Sequence, residues 1–114
     1  EVESRKSIKS KVESCDELII AHGIVGAVAK EAVDELRRQG KNVALFRPIT
    51  LSPFPKKELN RLASQVKKIY VVESSMGQLR DLVKQNLEVK NEIEIKGLYK
   101  PAVGIEVEEI INLF

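Results

Sequence analysis

Three short runs of consecutive apolar residues, each followed by a segment of helical periodicity, limit the fold of this chain more than any other sequence feature. The runs are residues 17–22, 43–46 and 69–72. A run without polar alternation is typical of a strand buried on both faces, as in a parallel sheet between two layers of helices. The pattern therefore predicts a three-layer α/β/α sandwich with a mainly parallel sheet.

Residues with helical spacing follow the runs and predict the outer helices. They are Val25, Val28, Ala29, Ala32, Val33 and Leu36; then Leu59, Leu62, Ala63 and Val66; then Leu79, Leu82, Val83 and Leu87; and last Val107, Ile110, Ile111 and Phe114. Gly40, preceded by Arg37 and Arg38, predicts the end of the first helix, because glycine suits a left-handed cap and cations favour a helix C-terminus. Ser75 and Gln78 have the spacing of a capping box at the start of a later helix.

The two ends of the predicted sheet differ in how they are protected. Residues 92–96 alternate with period two, so we expect an edge strand with one face in water that ends at Gly97. The run at 43–46 has no such alternation, and we expect its edge to be covered by the N-terminal arm or by another chain. Residues 1–15 offer only Ile8 and Val12 for burial and predict a linker or arm, cut from something longer, ahead of one domain over 16–114.

Composition excludes several classes of protein. The chain of 114 residues suits one domain, and its 19 basic and 17 acidic residues give no basic face for nucleic acid. The longest uncharged stretch is shorter than the ~20 apolar residues of a membrane helix, and no secretory signal is visible. A single Cys15 cannot form an internal disulfide or a cysteine cluster and fits a reducing, cytoplasmic compartment.

Candidate site residues lie where the three runs end. Ligands of open α/β sheets bind beyond the carboxyl ends of the strands, so the polar residues at those ends are expected to form one crevice or interface. These residues are His22, Gly23, Arg47, Glu73, Ser74, Gly77 and Gln78.

Each candidate has a structural interpretation that outweighs a catalytic one. The segment from Gly23 to Gly26 lacks the full glycine triplet of a dinucleotide fingerprint, which favours a tight turn and close packing. His22 is the sole histidine and is interpreted as a capping or packing residue. We expect Glu73 to be anchored by backbone N–H groups at a helix N-terminus, and Ser74 to act as a cap. The residues thus predict no catalytic, cofactor-binding or metal-binding group.

Three segments together resemble a known family. Gly23 follows the first run, Arg-Pro-Ile-Thr-Leu-Ser-Pro-Phe-Pro occupies 47–55, and Val-Glu-Ser-Ser-Met-Gly-Gln-Leu occupies 72–79. In this order they resemble the second domain of the 2-oxoacid:ferredoxin oxidoreductase alpha subunit, over about residues 16–114. Ile24 stands where that family usually has Ser, and Ser75 where it usually has Asn.

The resemblance implies a transketolase C-terminal-like fold, with the strand at 17–22 between those at 43–46 and 69–72, and the strand at 92–96 at an edge. It also implies a structural role in an enzyme complex that decarboxylates a 2-oxoacid, passes the acyl group to coenzyme A and sends electrons to ferredoxin. No cofactor is then expected in this chain. Thiamine diphosphate, magnesium and iron–sulfur clusters would belong to the beta subunit and to other domains, within an oligomer that binds neither nucleic acid nor membrane.

Two other functions remain open at this point. A C-terminal domain of a transketolase or of a 2-oxoacid dehydrogenase beta chain would share the fold. A free-standing regulatory or nucleotide-binding module is the alternative outside enzymes, because a glycine turn before a helix can hold a phosphate.

Overall fold

The computed structural model describes residues 16–49, 51, 53–74, 77–89, 92–100 and 104–114. Within these ranges the strands are β1 (Glu17–Ala21), β2 (Val43–Phe46), β3 (Lys68–Glu73) and β4 (Glu94–Tyr99). The helices there are α1 (Ile24–Arg38), α2 (Lys56–Ala63), α3 (Gln78–Asn86) and α4 (Val107–Ile111). A helix follows each strand, as the apolar runs predicted. None of the helices described is long and apolar enough to cross a membrane.

The sheet has the strand order β2-β1-β3-β4, and every neighbouring pair is parallel. The central position of β1 and the edge position of the last strand confirm the expectations from the resemblance. In the register of the sheet Ile19 lies between Leu45 of β2 and Tyr70 of β3. All four carboxyl ends therefore meet at one side of the sheet.

The two faces of β1 belong to two separate apolar cores. Leu18 and Ile20 pack in the core that includes the buried residues of α2 and α3. Ile19 and Ala21 pack in the core that includes the buried residues of α1 and α4. Because both faces of the sheet are covered by helices, the domain has the three layers that the uninterrupted apolar runs predicted.

The end of α1 follows the predicted capping. Gly40 has φ 87°, and its N–H donates to Arg37 O at 3.0 Å, while Lys41 N donates to Leu36 O at 2.9 Å. The Arg37 Nε also donates to Val43 O at 3.0 Å, which ties the last turn of the helix to the start of β2. A glycine is required here because residues with a side chain are strained at this positive φ.

The last strand differs from its predicted bounds. It begins at Glu94 rather than at Glu92, and it continues through Gly97 to Tyr99, so the prediction that Gly97 ends it is wrong. Gly97 pairs with Val71 in the ladder, and the Tyr99 side chain occupies the space that a Cβ at Gly97 would need. The glycine is thus a site of close packing within the strand and not a terminator.

Three details at helix ends also differ from the sequence interpretation. The third helix has Gly77 at its N-cap position and begins at Gln78, so Gln78 cannot be the third residue of a capping box that Ser75 would start. Ser75 itself lies outside the described residues. Val66 is buried but lies after α2, and Leu87 and Phe114 likewise lie after the ends of α3 and α4.

The edge strand β2 is the part of the sheet for which a cover was expected. Its four side chains are all buried between the two helical layers. Residues 1–15, which include the proposed arm, lie outside the described part of the chain. Coverage of the outer backbone edge of β2 therefore stays a prediction.

A tyrosine near the amino ends of the strands joins β1 and β3. The Tyr70 hydroxyl donates to Glu17 Oε2 at 3.0 Å, and its ring packs on Phe114 with the ring centroids 4.5 Å apart. Burial, assisted by the neighbouring Glu17 carboxylate, raises the pKa of Tyr70 to about 12. Both effects disfavour the phenolate, one through lost hydration and the other through charge repulsion.

We predict that stability falls as the pH rises from about 10 toward about 12, because the unfolded chain loses a phenolic proton that folded Tyr70 keeps. Below about pH 10 this contribution is fully present. The chain has two tyrosines. A Tyr99→Phe variant therefore isolates the absorbance titration of Tyr70, with the urea-unfolded variant as its control. A folded midpoint equal to the unfolded one would contradict the prediction.

Substitution of the largest buried side chain should test the core around the sheet. Phe46 is fully buried and meets Phe54 edge to face, with 6.4 Å between ring centroids. We expect Phe46→Ala to lower the free energy of unfolding by about 3–5 kcal/mol, because it removes buried apolar area and leaves a cavity. Phe54→Ala, at a half-buried position, should cost clearly less in the same urea titration. Equal losses would show that Phe46 does not organise this core.

Candidate functional site

Two loops at the carboxyl side of the sheet are joined by a histidine. Gly23 has φ 65° and ends β1 in a tight turn, so that α1 begins at the next residue. The His22 Nδ1 lies 2.7 Å from Pro48 O, in the loop after β2. A carbonyl oxygen only accepts, so Nδ1 carries a proton and, in the neutral ring, Nε2 is left as an acceptor. His22 thus joins the two loops through a backbone carbonyl, in agreement with a packing role, and it does not cap α1, whose N-cap is Gly23.

The first turn of α1 lies against the residue that ends β2. A Cβ built on Gly26 would fall 2.5 Å from Arg47 Nε and 3.3 Å from two carbons of the same side chain. Glycine at this position therefore allows the Arg47 side chain to lie across the helix. The positive φ at Gly23 and the close packing at Gly26 agree with the interpretation of these glycines as a tight turn and a packing site, and Arg47 takes part in that packing.

The carboxylate at the end of β3 caps α3. Glu73 is 5% exposed; its Oε1 accepts from Leu79 N at 2.8 Å, and its Oε2 accepts from Arg80 N at 3.1 Å. Gly77 stands between strand and helix with φ 100°, which lets the chain turn so that the carboxylate faces the helix end. The expectation that Glu73 is held by backbone N–H groups is confirmed.

A crevice of about 220 Å³ opens between the ends of β1 and β3. Four of the candidate residues line it, namely His22, Glu73, Ser74 and Gln78. The other three candidates lie beside it in the chain: Gly23 in the turn before α1, Arg47 across that helix, and Gly77 before α3. The apolar part of the lining, which the sequence analysis did not include, consists of Val25, Leu51 and Leu79.

Two further contacts near the carboxyl end of β4 could not be predicted from the sequence pattern. The guanidinium of Arg80 lies over the Tyr99 ring, with Cζ 5.4 Å from the centroid. Lys100 Nζ donates to Glu109 Oε2 at 2.8 Å and holds the pKa of Glu109 below its ordinary value, as an adjacent cation favours the charged carboxylate. These pairs join β4 to α3 and to α4, and each joins residues that are distant in the chain.

A comparison with protein-family models identifies the domain. Residues 15–109 match the model described as pyruvate:ferredoxin oxidoreductase core domain II. The chain belongs to this family. The family assignment agrees with the resemblance read from the strand ends, and it covers the crevice and most of α4.

Relatives and solved structures are much longer than the family domain. Ketoisovalerate oxidoreductase subunit VorB from Methanothermobacter marburgensis is 44% identical over 73 residues, which are 64% of this chain and 21% of that protein. The 2-oxoglutarate:ferredoxin oxidoreductase from Magnetococcus marinus superposes with a TM-score of 0.78 at 25% identity, over 87% of this chain and 17% of that one. The chain therefore spans about a fifth of the length of these relatives.

A more distant structure supports the fold. A split-gene transketolase, described as an inactive beta4 tetramer, superposes with a TM-score of 0.73 at 21% identity, over 85% of this chain and 36% of that one. This likeness supports the assignment of the chain to the transketolase C-terminal-like fold class.

A metal ion and a diphosphate each require particular binding groups from a protein. In the described part of the chain no three His, Cys, Asp or Glu side chains come together as a metal ion would require. Two backbone N–H groups in the first turn of α3, where a diphosphate would bind, already donate to Glu73. The His22 and Glu73 side chains of the crevice thus make hydrogen-bonding contacts within the domain.

We predict that Glu73→Ala lowers the free energy of unfolding by about 1–3 kcal/mol, because a buried N–H donor of Leu79 and a partly buried one of Arg80 lose their acceptor. Glu73→Gln keeps an amide oxygen as acceptor and should cost less. Asp81→Ala is the matched control, since it removes an exposed acid from the first turn of the same helix. Unchanged denaturation of Glu73→Ala would show that Glu73 is free for a ligand or partner.

Proposed function

We propose that the chain is a structural and assembly domain of the alpha subunit of a 2-oxoacid:ferredoxin oxidoreductase. The whole enzyme would decarboxylate a 2-oxoacid, transfer the acyl group to coenzyme A and pass the electrons to ferredoxin. The observation that carries the proposal is the match of residues 15–109 to core domain II of this oxidoreductase family. The relatives named as subunits support membership in a complex.

The internal contacts of the crevice favour support over catalysis. Its carboxylate accepts from the first turn of α3, and its imidazole lies within hydrogen-bonding distance of a backbone carbonyl. A general acid or base must reach a substrate proton, and a nucleophile needs an activating base beside it. Ser74 is exposed at the crevice, where the His22 imidazole beside it contacts Pro48 O and the Glu73 carboxylate accepts from α3. We infer that the domain holds other parts of the enzyme in place.

Cofactors and partners follow from the proposed complex. Thiamine diphosphate with magnesium, and the iron–sulfur clusters, would be held by the beta subunit and by other domains. The partners of the whole enzyme would be ferredoxin and coenzyme A, with the beta subunit and the rest of the alpha subunit in direct contact. We place this complex in the cytoplasm, where a reducing environment suits clusters and thiols.

A transketolase-type or 2-oxoacid dehydrogenase beta-chain domain is the second candidate, and the split-gene transketolase likeness favours it at the level of fold. Such an enzyme would not reduce ferredoxin, so an acceptor assay separates the two. A nucleotide-binding module is suggested by the glycine turn before α1, and a nucleotide-binding screen separates it from both enzyme candidates.

We predict that the 114-residue chain alone binds neither thiamine diphosphate nor an iron–sulfur cluster and reduces no electron acceptor. The complete alpha subunit with its beta partner should show 2-oxoacid-dependent reduction of ferredoxin. Calorimetry with thiamine diphosphate and magnesium measures the first part. An acceptor assay with pyruvate, 2-oxoglutarate and branched-chain 2-oxoacids, each with coenzyme A, measures the second.

Each half of this prediction can be contradicted by a separate result. Tight binding or turnover by the chain alone would contradict the assignment as a support domain. A complete complex that turns over no 2-oxoacid with ferredoxin, while interconverting sugar phosphates, would move the protein to the transketolase alternative.

A further inference from the structure

Two isoleucines are exposed at the carboxyl side of the sheet. Ile24, the first residue of α1, is 88% exposed, and Ile49, in the loop after β2, is 70% exposed. Among the described residues they are the large apolar side chains that stand open to water, and both lie at the same side of the domain. Neighbouring exposed apolar groups beside a cleft are typical of an interaction surface, whereas single ones are ordinary.

Local contacts hold the two loops that carry these isoleucines against each other. Ile49 follows Pro48, whose carbonyl lies 2.7 Å from the His22 ring in the turn that precedes Ile24. Gly26, two residues after Ile24, lies under the Arg47 side chain. The two loops are therefore fixed to each other, and each carries one exposed isoleucine; we call Ile24 and Ile49 together the isoleucine rim.

The crevice next to this rim favours an uncharged occupant. Its apolar lining of Val25, Leu51 and Leu79 suits a hydrocarbon side chain. The Glu73 carboxylate already accepts from two N–H groups of α3, so an incoming anion would meet a negative charge instead of open donors. A phosphate or carboxylate is thus disfavoured at this place.

We propose that the isoleucine rim and the crevice dock an uncharged, apolar segment from another domain of the same polypeptide. This inference rests on the proposed function, since it takes the chain as part of a longer subunit. The domain would then be held by insertion of apolar side chains at the carboxyl ends of β1 and β3, the position where related folds bind small ligands.

A covalently linked partner fits this surface better than a free one. A specific complex between separate chains usually buries at least about 1,000 Å² of accessible surface. Two exposed isoleucines beside a crevice of about 220 Å³ offer less surface than that on their own. A tethered domain needs less contact, because a linker raises its effective concentration to roughly the millimolar range. The relatives provide such a tether, since the matched segment is 17–21% of their length.

Photocrosslinking in the complete subunit, assembled with its partners, identifies the occupant. The photoreactive residue p-benzoylphenylalanine is incorporated at Ile49 and, as a control, at exposed Gln65 at the opposite side of the sheet. We expect Ile49 to give an intramolecular crosslink to an apolar segment outside residues 1–114, and Gln65 to give none there. A crosslink to a second copy or to another subunit, or no crosslink, would overturn the proposal.

A charge at Ile24 tests the apolar character of the contact. α1 has no acid in its first turn, and an acid there is favourable to the helix dipole, so Ile24→Asp should not weaken the helix itself. We nevertheless expect it to lower the melting temperature of the complete subunit by several degrees relative to Gln65→Asp, because the charge would enter an apolar contact. An unchanged or raised melting temperature would count against the docking surface.

Turnover measured on the same preparations separates this proposal from the proposed function. If the unsubstituted complex reduces ferredoxin with a 2-oxoacid while Ile24→Asp melts like its control, only the docking surface is wrong. If the crosslink from Ile49 forms as expected but the unsubstituted complex shows no such turnover, the docking surface stands and the proposed reaction is wrong.

Discussion

Burial of β1 on both faces is the constraint on which the rest of the structure depends. The side chains from Leu18 to Ala21 are 0% exposed, and they alternate between the two cores. A strand of this kind needs hydrogen-bonding neighbours on both edges and apolar layers on both faces, since unpaired backbone groups away from water are costly. β2 and β3 provide the edges and the helices provide the layers, so the carboxyl ends that frame the crevice follow from the same requirement.

The elements that could be predicted from the sequence are those with a local physical cause. Apolar runs located β1 to β3, and helical spacing located the buried face of α1, because burial leaves a period in the chain. The order of the strands came from the resemblance, since periodicity carries no information on which strands pair. Gly97 was misread because a glycine that ends a strand and a glycine covered by a neighbouring ring look alike in sequence; only the position of Tyr99 distinguishes them.

The contacts of the candidate site also divide into those with a local cause in the sequence and those without one. The anchoring of Glu73 was predictable, because a carboxylate at the end of a buried strand needs donors and the following helix offers them. The contact of His22 with Pro48 was not, since it joins a side chain to a backbone carbonyl 26 residues away. The position of Ile24 outside the buried periodic face of α1 indicates exposure, but the sequence does not show that the loop with Ile49 lies beside it.

Glu73 occupies, from within the chain, a helix end of the kind that binds phosphate in other α/β folds. In nucleotide-binding α/β domains the helix N-terminus after a strand holds a ligand phosphate, because its N–H groups and dipole attract an anion. Here the chain supplies that anion itself, from the last residue of β3 to the first turn of α3. Two N–H groups of α3 thus have an acceptor within the chain, and the crevice beside them has the apolar lining that the proposed docking of a neighbouring domain requires.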